Sequence, residues 1–202
     1  MADDRPVPEM VPAEAFAGVP DGLERLWTPH RAAYLGGENK PVGDDAAACP
    51  FCRAAAADDD AAHLVVARGT RVFALLNLYP YNSGHLMVLP YRHVGDITEL
   101  DAQETAELGS LTQTAVRVLR DVYQAQGFNL GVNQGTAAGA GIAAHLHQHV
   151  VPRWTGDANF MPVIARTKTL PEILADTRER LVRAWPPAPD VAADPSGRGA
   201  PA

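Results

Sequence analysis

Three histidines alternate in the stretch Ala144-His145-Leu146-His147-Gln148-His149-Val150-Val151-Pro152. If the stretch is extended, a side-chain period of two puts His145, His147 and His149 on one face and Leu146, Gln148 and Val150 on the other. Alternate side chains on a strand sit roughly 6.6 Å apart. The result is a row of imidazoles, each able to act near neutral pH as nucleophile, proton carrier or metal ligand. A single histidine is usually a surface or hydrogen-bonded residue. Three on one face mark a site, and the residues alone leave open whether it is a catalyst or a metal cage.

A second group is Cys49-Pro50-Phe51-Cys52. Structural zinc takes four ligands, often two cysteines at this spacing with two distant histidines, and His93 and His145 are the candidates. The rival is a redox pair of the glutaredoxin type, which should follow a strand and open a helix. Asp44 to Ala48 makes a poor strand, so metal is the favoured reading. The small-residue loop Gly135 to Ala144 is a third feature. Its backbone amides could approach an anion closely, and a phosphate held there would lie against His147. His85 after Gly84, and Asn77 before the turn, also read plainly as turn residues. His30 and His63 read as surface residues.

These groups need a scaffold. The chain has 202 residues, 47% of them apolar, which suits one domain with tails. Its formal charge of -7 argues against non-specific nucleic-acid binding. No run reaches the roughly 18 apolar residues of a membrane span, and the N-terminal residues lack an apolar signal region. A cytoplasmic protein is expected.

Residues 1–20 read as a loose arm, 21–185 as the domain and 186–202 as a disordered Pro/Ala/Gly-rich tail. A short amphipathic helix is expected from Gly22 to Leu35, broken at Pro29. Strands are expected over Leu64 to Ala67, Arg71 to Asn77 and His85 to Leu89, with a hairpin turn at Gly69-Thr70. Asp101 and Glu104 look like a capping box. The helix that follows carries Leu108, Leu111, Ala115, Val118, Leu119 and Val122 at helical spacing, with Gly127 as its expected C′ residue. Phe128 to Asn133 reads as a strand, the histidine stretch as another, and Pro171 to Trp185 as a second helix. Short consecutive strands with helices set apart predict an α+β fold with an antiparallel sheet.

Taken together these residues resemble the histidine triad (HIT) superfamily. Its His-x-His-x-His signature with trailing apolar residues is matched by His145 to Val151. A second family segment, Asn or Asp, then Gly-His, apolar residues and Pro, is matched by Asn77, Gly84-His85 and Leu86 to Pro90. The resemblance covers about residues 49 to 154. Arg25 to Pro29, Asn77 to Asn82, Pro152 to Trp154 and Gly156 to Phe160 are further similar to the actinobacterial diadenosine tetraphosphate phosphorylases within it. Two places depart from the pattern. Gln148 stands where an apolar residue is preferred. The loop before the triad is one residue longer, with Ala140 and Gly141 where Gln and Ser or Thr are usual.

The resemblance implies a HIT-like sheet of about five strands with a long helix and a C-terminal helix, stabilised by a structural zinc on Cys49, Cys52, His93 and His145. It implies nucleotidyl transfer through a covalent histidine, with His147 attacking the α-phosphorus. His149 and His85 would contact phosphate oxygens, and His149 could handle the leaving-group proton. Asn77 would hold the ribose and Asn133 would lie beside the phosphates. Amides of Gly139, Ala140 and Gly141 would cradle the α-phosphate. Trp154 could cover a nucleotide or support a subunit contact, a core tryptophan being the plain alternative. The implied partners are a diadenosine polyphosphate, AMP or ATP, inorganic phosphate as acceptor, and a second copy of the chain in a homodimer. If water were the acceptor, the same machinery would be a hydrolase.

Overall fold

The computed structural model of the protein describes residues 45–157 and 172–187. The expected arm, the helix Gly22–Leu35, Pro171 and the tail from residue 188 lie outside the described residues. Five strands form one antiparallel sheet: β1 Val65–Arg68, β2 Val72–Leu76, β3 Leu86–Pro90, β4 Gly127–Val132 and β5 Gln148–Arg153. Their spatial order is β1-β2-β3-β5-β4. Among the described residues three helices, α1 Pro50–Ala56, α2 Ala102–Tyr123 and α3 Leu174–Ala184, pack with the sheet. The α+β antiparallel sheet expected from the sequence is the one observed.

Alternation sorts the strands onto two cores. Val72, Ala74, Leu76, Leu86, Val88 and Val150 face α2 and α3, meeting Leu108, Ala115, Val118, Leu119 and Leu181. Val65, Phe73, Leu75, Met87 and Leu89 face the other way, against Phe51 and Ala54 of α1. Strands β2 and β3 are buried along their whole length, as their unbroken apolar runs require.

Polar ties fix the helices on this frame. Asp101 accepts from the amides of Gln103 and Glu104, and Glu104 accepts in return from the Asp101 amide, so the capping box is present. The far end of α2 differs from expectation. Gln124 takes the left-handed turn at φ 51°, and Gly127 instead opens β4. At α1, Arg68 donates to the carbonyls of Ala54, Ala55 and Ala57, satisfying orphan helix-end acceptors and holding the cysteine-bearing helix to β1. Arg178 of α3 donates to the Val65 carbonyl.

The histidine stretch is the second correction. Only residues from Gln148 onward are strand, so His145 and His147 lie in the segment leading into it. The reason is local: the Leu146 amide donates to the Val94 carbonyl at 2.6 Å rather than to a sheet neighbour. The ring of His145 is meanwhile held by the carbonyl of Pro90. No helix among the described residues is long and apolar enough to cross a membrane.

Candidate active site

Strand β5 and the segments leading into β3 and β5 bring His85, His149 and His147 side by side. His149 is paired with Met87 of β3 and Gly131 of β4. The His147 and His149 ring centroids are 5.1 Å apart, as are those of His85 and His149. His85 precedes β3 and is fully buried. The turn that delivers it is closed by the Asn77 amide donating to the His85 carbonyl and the His85 amide donating to the Asn82 carbonyl. Gly84 makes this possible with φ 75°, and a Cβ there would fall 2.9 Å from Leu119 Cδ2.

Hydrogen bonds fix the proton on each ring. A carbonyl can only accept, so His147, 2.8 Å from the His145 carbonyl, carries its proton on Nδ1 and leaves the Nε2 lone pair open. His145 carries its proton on Nε2, donated to the Pro90 carbonyl at 2.9 Å, and leaves Nδ1 open. The Tyr81 amide donates to Nδ1 of His85 at 3.0 Å, which puts the His85 proton on Nε2. That Nε2 donates in turn to Nδ1 of His149 at 2.9 Å. His149, with Nδ1 occupied as an acceptor, is a donor at Nε2. The pair His147 and His149 thus offers one nucleophilic nitrogen and one N–H.

Burial favours the neutral forms this scheme needs. It pushes His149 down to about 4, with the neighbouring His147 adding to the effect. It lowers His147 too, opposed by the bond to the His145 carbonyl. His145 is pushed down to about 4 by burial, against the pull of the Pro90 carbonyl. The ring of Phe51 lies 5.5 Å from His145 and 5.1 Å from His147, screening both from water.

His145 points its open Nδ1 at the cysteines. The Nδ1 to Sγ distances are 3.5 Å for Cys49 and 3.5 Å for Cys52, and His93 Nδ1 lies 3.2 Å from Cys52 Sγ. The ligand atoms of Cys49, Cys52, His93 and His145 all fall within 4.8 Å of one another. Burial, with Cys49 adding to it, raises the Cys52 thiol to about 11. Two cysteines facing the open Nδ1 of His145, with Nδ1 of His93 beside Cys52, are a donor set that fits a metal ion, which would draw off the thiol protons. Cys49-Pro50-Phe51-Cys52 does open a helix, but a turn precedes it and both thiols are free.

Other sequence candidates fall as follows. Asn77 follows β2, and its Oδ1 accepts from the Tyr79 amide. Asn133 lies just past β4, on the His149 side, among the residues lining a groove with Tyr81, Asn129 and Gly131. In the loop before the triad, the Gly139 and Ala140 amides donate to the Thr136 and Gly135 carbonyls. Among the three residues expected to cradle phosphate, only the Gly141 amide has no internal acceptor among the described residues. Trp154 is not brought to the histidines within this chain: its Nε1 donates to the Tyr123 carbonyl at the end of α2. Gln148 turns away from the histidine row, as expected, and donates to Thr112 Oγ1 at 2.8 Å.

Residues the sequence did not single out also shape the site. Phe51 is one. Asn82, buried, donates to the Pro152 carbonyl and to Asp157, which also binds Arg153. Both sit beside marked residues, but neither has a spacing that would flag it.

A HIT domain model matches residues 59–156. A protein of Mycobacterium tuberculosis named AP-4-A phosphorylase is 49% identical over 171 residues, covering 83% of this chain and 87% of its own. The asymmetrical bis(5'-nucleosyl)-tetraphosphatase of Schizosaccharomyces pombe is 32% identical over 84 residues, covering 42% of this chain and 46% of its own. Among solved structures, a zinc-bound histidine triad family protein from Mycobacterium smegmatis superposes with a TM-score of 0.56 at 25% identity. It covers 70% of this chain and 95% of that one.

Proposed function

The chain belongs to the HIT domain family, and we propose that it is a nucleotidyltransferase that cleaves diadenosine tetraphosphate with inorganic phosphate to ATP and ADP. The observation that carries this is the hydrogen bonding of His147 and His149, from which one open lone pair beside one N–H donor follows. The name of the 49% identical relative supports the substrate and the acceptor.

In this reading Nε2 of His147 attacks the α-phosphorus in line. The bond from that phosphorus to the bridging oxygen breaks, and its electron pair leaves on the oxygen of the departing ATP. His149 Nε2–H stabilises that oxygen by a hydrogen bond. The nucleotidyl-imidazolium keeps its Nδ1 proton on the His145 carbonyl. An oxygen of inorganic phosphate then attacks the same phosphorus from the opposite side, forming ADP and returning the pair to Nε2. Splitting the displacement in two lets one nucleotide leave before the acceptor arrives. Asn77 is assigned to the ribose, and Asn133 and the Gly141 amide to phosphate oxygens. Trp154 is assigned to a subunit contact rather than to a nucleotide held by its own chain.

Cys49, Cys52, His93 and His145 would hold zinc. A tetrahedron with Zn–S near about 2.3 Å and Zn–N near about 2.0 Å has S–N edges of roughly 3.5 Å, close to the separations here. Four protein ligands leave no open position, so the ion's role is to anchor α1 to the approach of the histidine segment. Thiols gathered for a metal suit a reducing, cytoplasmic setting. A homodimer is supported by β4, an edge strand of the sheet with Leu130 exposed.

A hydrolase that passes the nucleotide to water is the second reading, favoured by the S. pombe relative's name. Incubation with diadenosine tetraphosphate, with and without phosphate, separates the two. ADP with ATP only when phosphate is present is the expected result. AMP formed at equal rate without phosphate makes the protein a hydrolase.

A further inference from the structure

The loop between β2 and β3 makes two contacts to the histidines from a single residue. The Tyr81 amide donates to Nδ1 of His85 at 3.0 Å. The Tyr81 ring stacks on His85 with centroids 4.9 Å apart and lies 5.9 Å from the ring of His149. Tyr81 is 45% exposed and outside regular structure, so its place depends on its neighbours. Asn82, next in the chain, is buried. Its Nδ2 lies 3.0 Å from the Pro152 carbonyl and 2.8 Å from Asp157 Oδ2. Neither partner can donate, so both hydrogens of the Asn82 amide are committed. The Asn82 carbonyl meanwhile accepts from the His85 amide.

Asp157 is fixed in its turn. Arg153 donates to its two oxygens at 2.6 and 2.9 Å, and the Trp154 amide donates to Oδ2 at 3.2 Å. The Arg153 guanidinium holds the Asp157 carboxyl well below the usual carboxylate range. Asn82 therefore meets an anion, and hydrogen bonds to an ionised acceptor are the strong ones. Pro152 and Arg153 belong to β5, the strand that carries His149. The latch thus ties the loop that orients His85 to the strand that bears His149. Every bond in it lies within one chain, and none depends on an open surface.

We propose that Asn82 and Asp157 are positioning residues: through this latch they keep the Tyr81 amide on Nδ1 of His85, and so decide which nitrogen of His149 bears the proton. In a neutral imidazole the bond made at one ring nitrogen sets the place of the proton on the other. Without the Tyr81 amide, His85 would be free to carry its proton on Nδ1 and turn the Nε2 lone pair toward His149. The His149 proton would then move to Nδ1 and leave Nε2 an acceptor. The leaving oxygen would lose its N–H. That consequence rests on the nucleotidyl transfer of the preceding subsection, whereas the placement of the protons does not.

Asn82→Asp tests it, because the new side chain has the same shape and sets a carboxylate against two acceptors. Ring nitrogen-15 spectra of the full chain read the tautomers directly. Wild type should show His85 and His149 protonated on Nε2. Asn82→Asp, at mildly alkaline pH, should move a measurable share of both rings to the Nδ1–H form. It should lower kcat with diadenosine tetraphosphate and phosphate by about tenfold while KM changes by less than about twofold. Adding Asp157→Asn to Asn82→Asp again sets a donor against an acceptor, and should recover part of the Nε2–H population and of kcat. If Asn82→Asp does not fold, Asn82→Ala is read in the same way. Leu181→Ala, in the core against α2, is the stability control: it should lower Tm and leave both tautomers unchanged. Wild-type tautomers in Asn82→Asp, the same tautomer shift in Leu181→Ala, or shifted tautomers with kcat unchanged each overturn the proposal. If wild type transfers no nucleotide, the preceding reading fails, and the tautomers alone then decide whether the latch sets the protons.

Discussion

The backbone carbonyl of His145 accepts the Nδ1 proton of His147 at 2.8 Å, so a residue that faces the cysteines also decides which nitrogen of its neighbour is free to react. The side chain of His145 is fixed by Pro90 and aimed at Cys49 and Cys52, while its carbonyl orients His147. One residue would thus serve both the proposed metal site, through its ring, and the proposed nucleophile, through its carbonyl.

Metal removal should therefore be felt in both stability and turnover. One zinc per chain is expected by elemental analysis. Chelation or Cys49→Ser should lower Tm by several degrees and reduce kcat, because ligand binding energy is folding energy at such sites. Protein that purifies without metal and melts unchanged in chelator contradicts the assignment.

The Tyr81 amide, His85 and His149 form a chain whose only role in this scheme is to keep a proton on His149 Nε2. His85→Ala and His149→Ala should each lower kcat by on the order of 10²-fold. The double variant should cost little more than either alone, since both remove the same donor. Fully multiplicative losses in that cycle would show that the two histidines act separately.

Glu104 supplies the pH test of the frame. The Arg92 guanidinium beside it, helped by the Asp101 amide, holds its carboxyl down to about 2 against the opposing effect of burial. A depressed carboxylate stabilises the fold above its unfolded pKa, near about 4.5, and loses that contribution as pH falls through the folded value. Arg92 is half exposed, so solvent screening keeps the pair's contribution well below what the depression of the carboxyl alone would imply. In urea unfolding, Glu104→Gln should lie below wild type at pH 6, and the gap should shrink between pH 4.5 and pH 3. A gap independent of pH would mean that the ion pair is not its source.

Much of this arrangement was legible because it depends on local pattern. Continuous apolar runs mark β2 and β3, Asp101 and Glu104 spell the cap, and Cys49 and Cys52 with His93 and His145 as candidates follow from ligand chemistry. What escaped depends on contacts distant in sequence. The strand begins at Gln148 rather than Ala144 because Leu146 and His145 bond to Val94 and Pro90, more than fifty residues earlier. The Gly139 and Ala140 amides turn into their own loop, which composition cannot reveal. Gln148 breaks the apolar pattern yet is accommodated because Thr112 of α2 waits beneath it. Phe51 and Asn82 gain importance only from the groups the fold sets around them.

In the proposed mechanism Nε2 of His147 bonds to phosphorus. Mass spectrometry of protein quenched at alkaline pH after mixing with diadenosine tetraphosphate, in the absence of phosphate, tests it directly. One AMP adduct per active chain is expected, mapped to the peptide at His147, absent in His147→Ala and discharged as ADP when phosphate is added. Turnover without any adduct, or an adduct on another residue that survives His147→Ala, would contradict it.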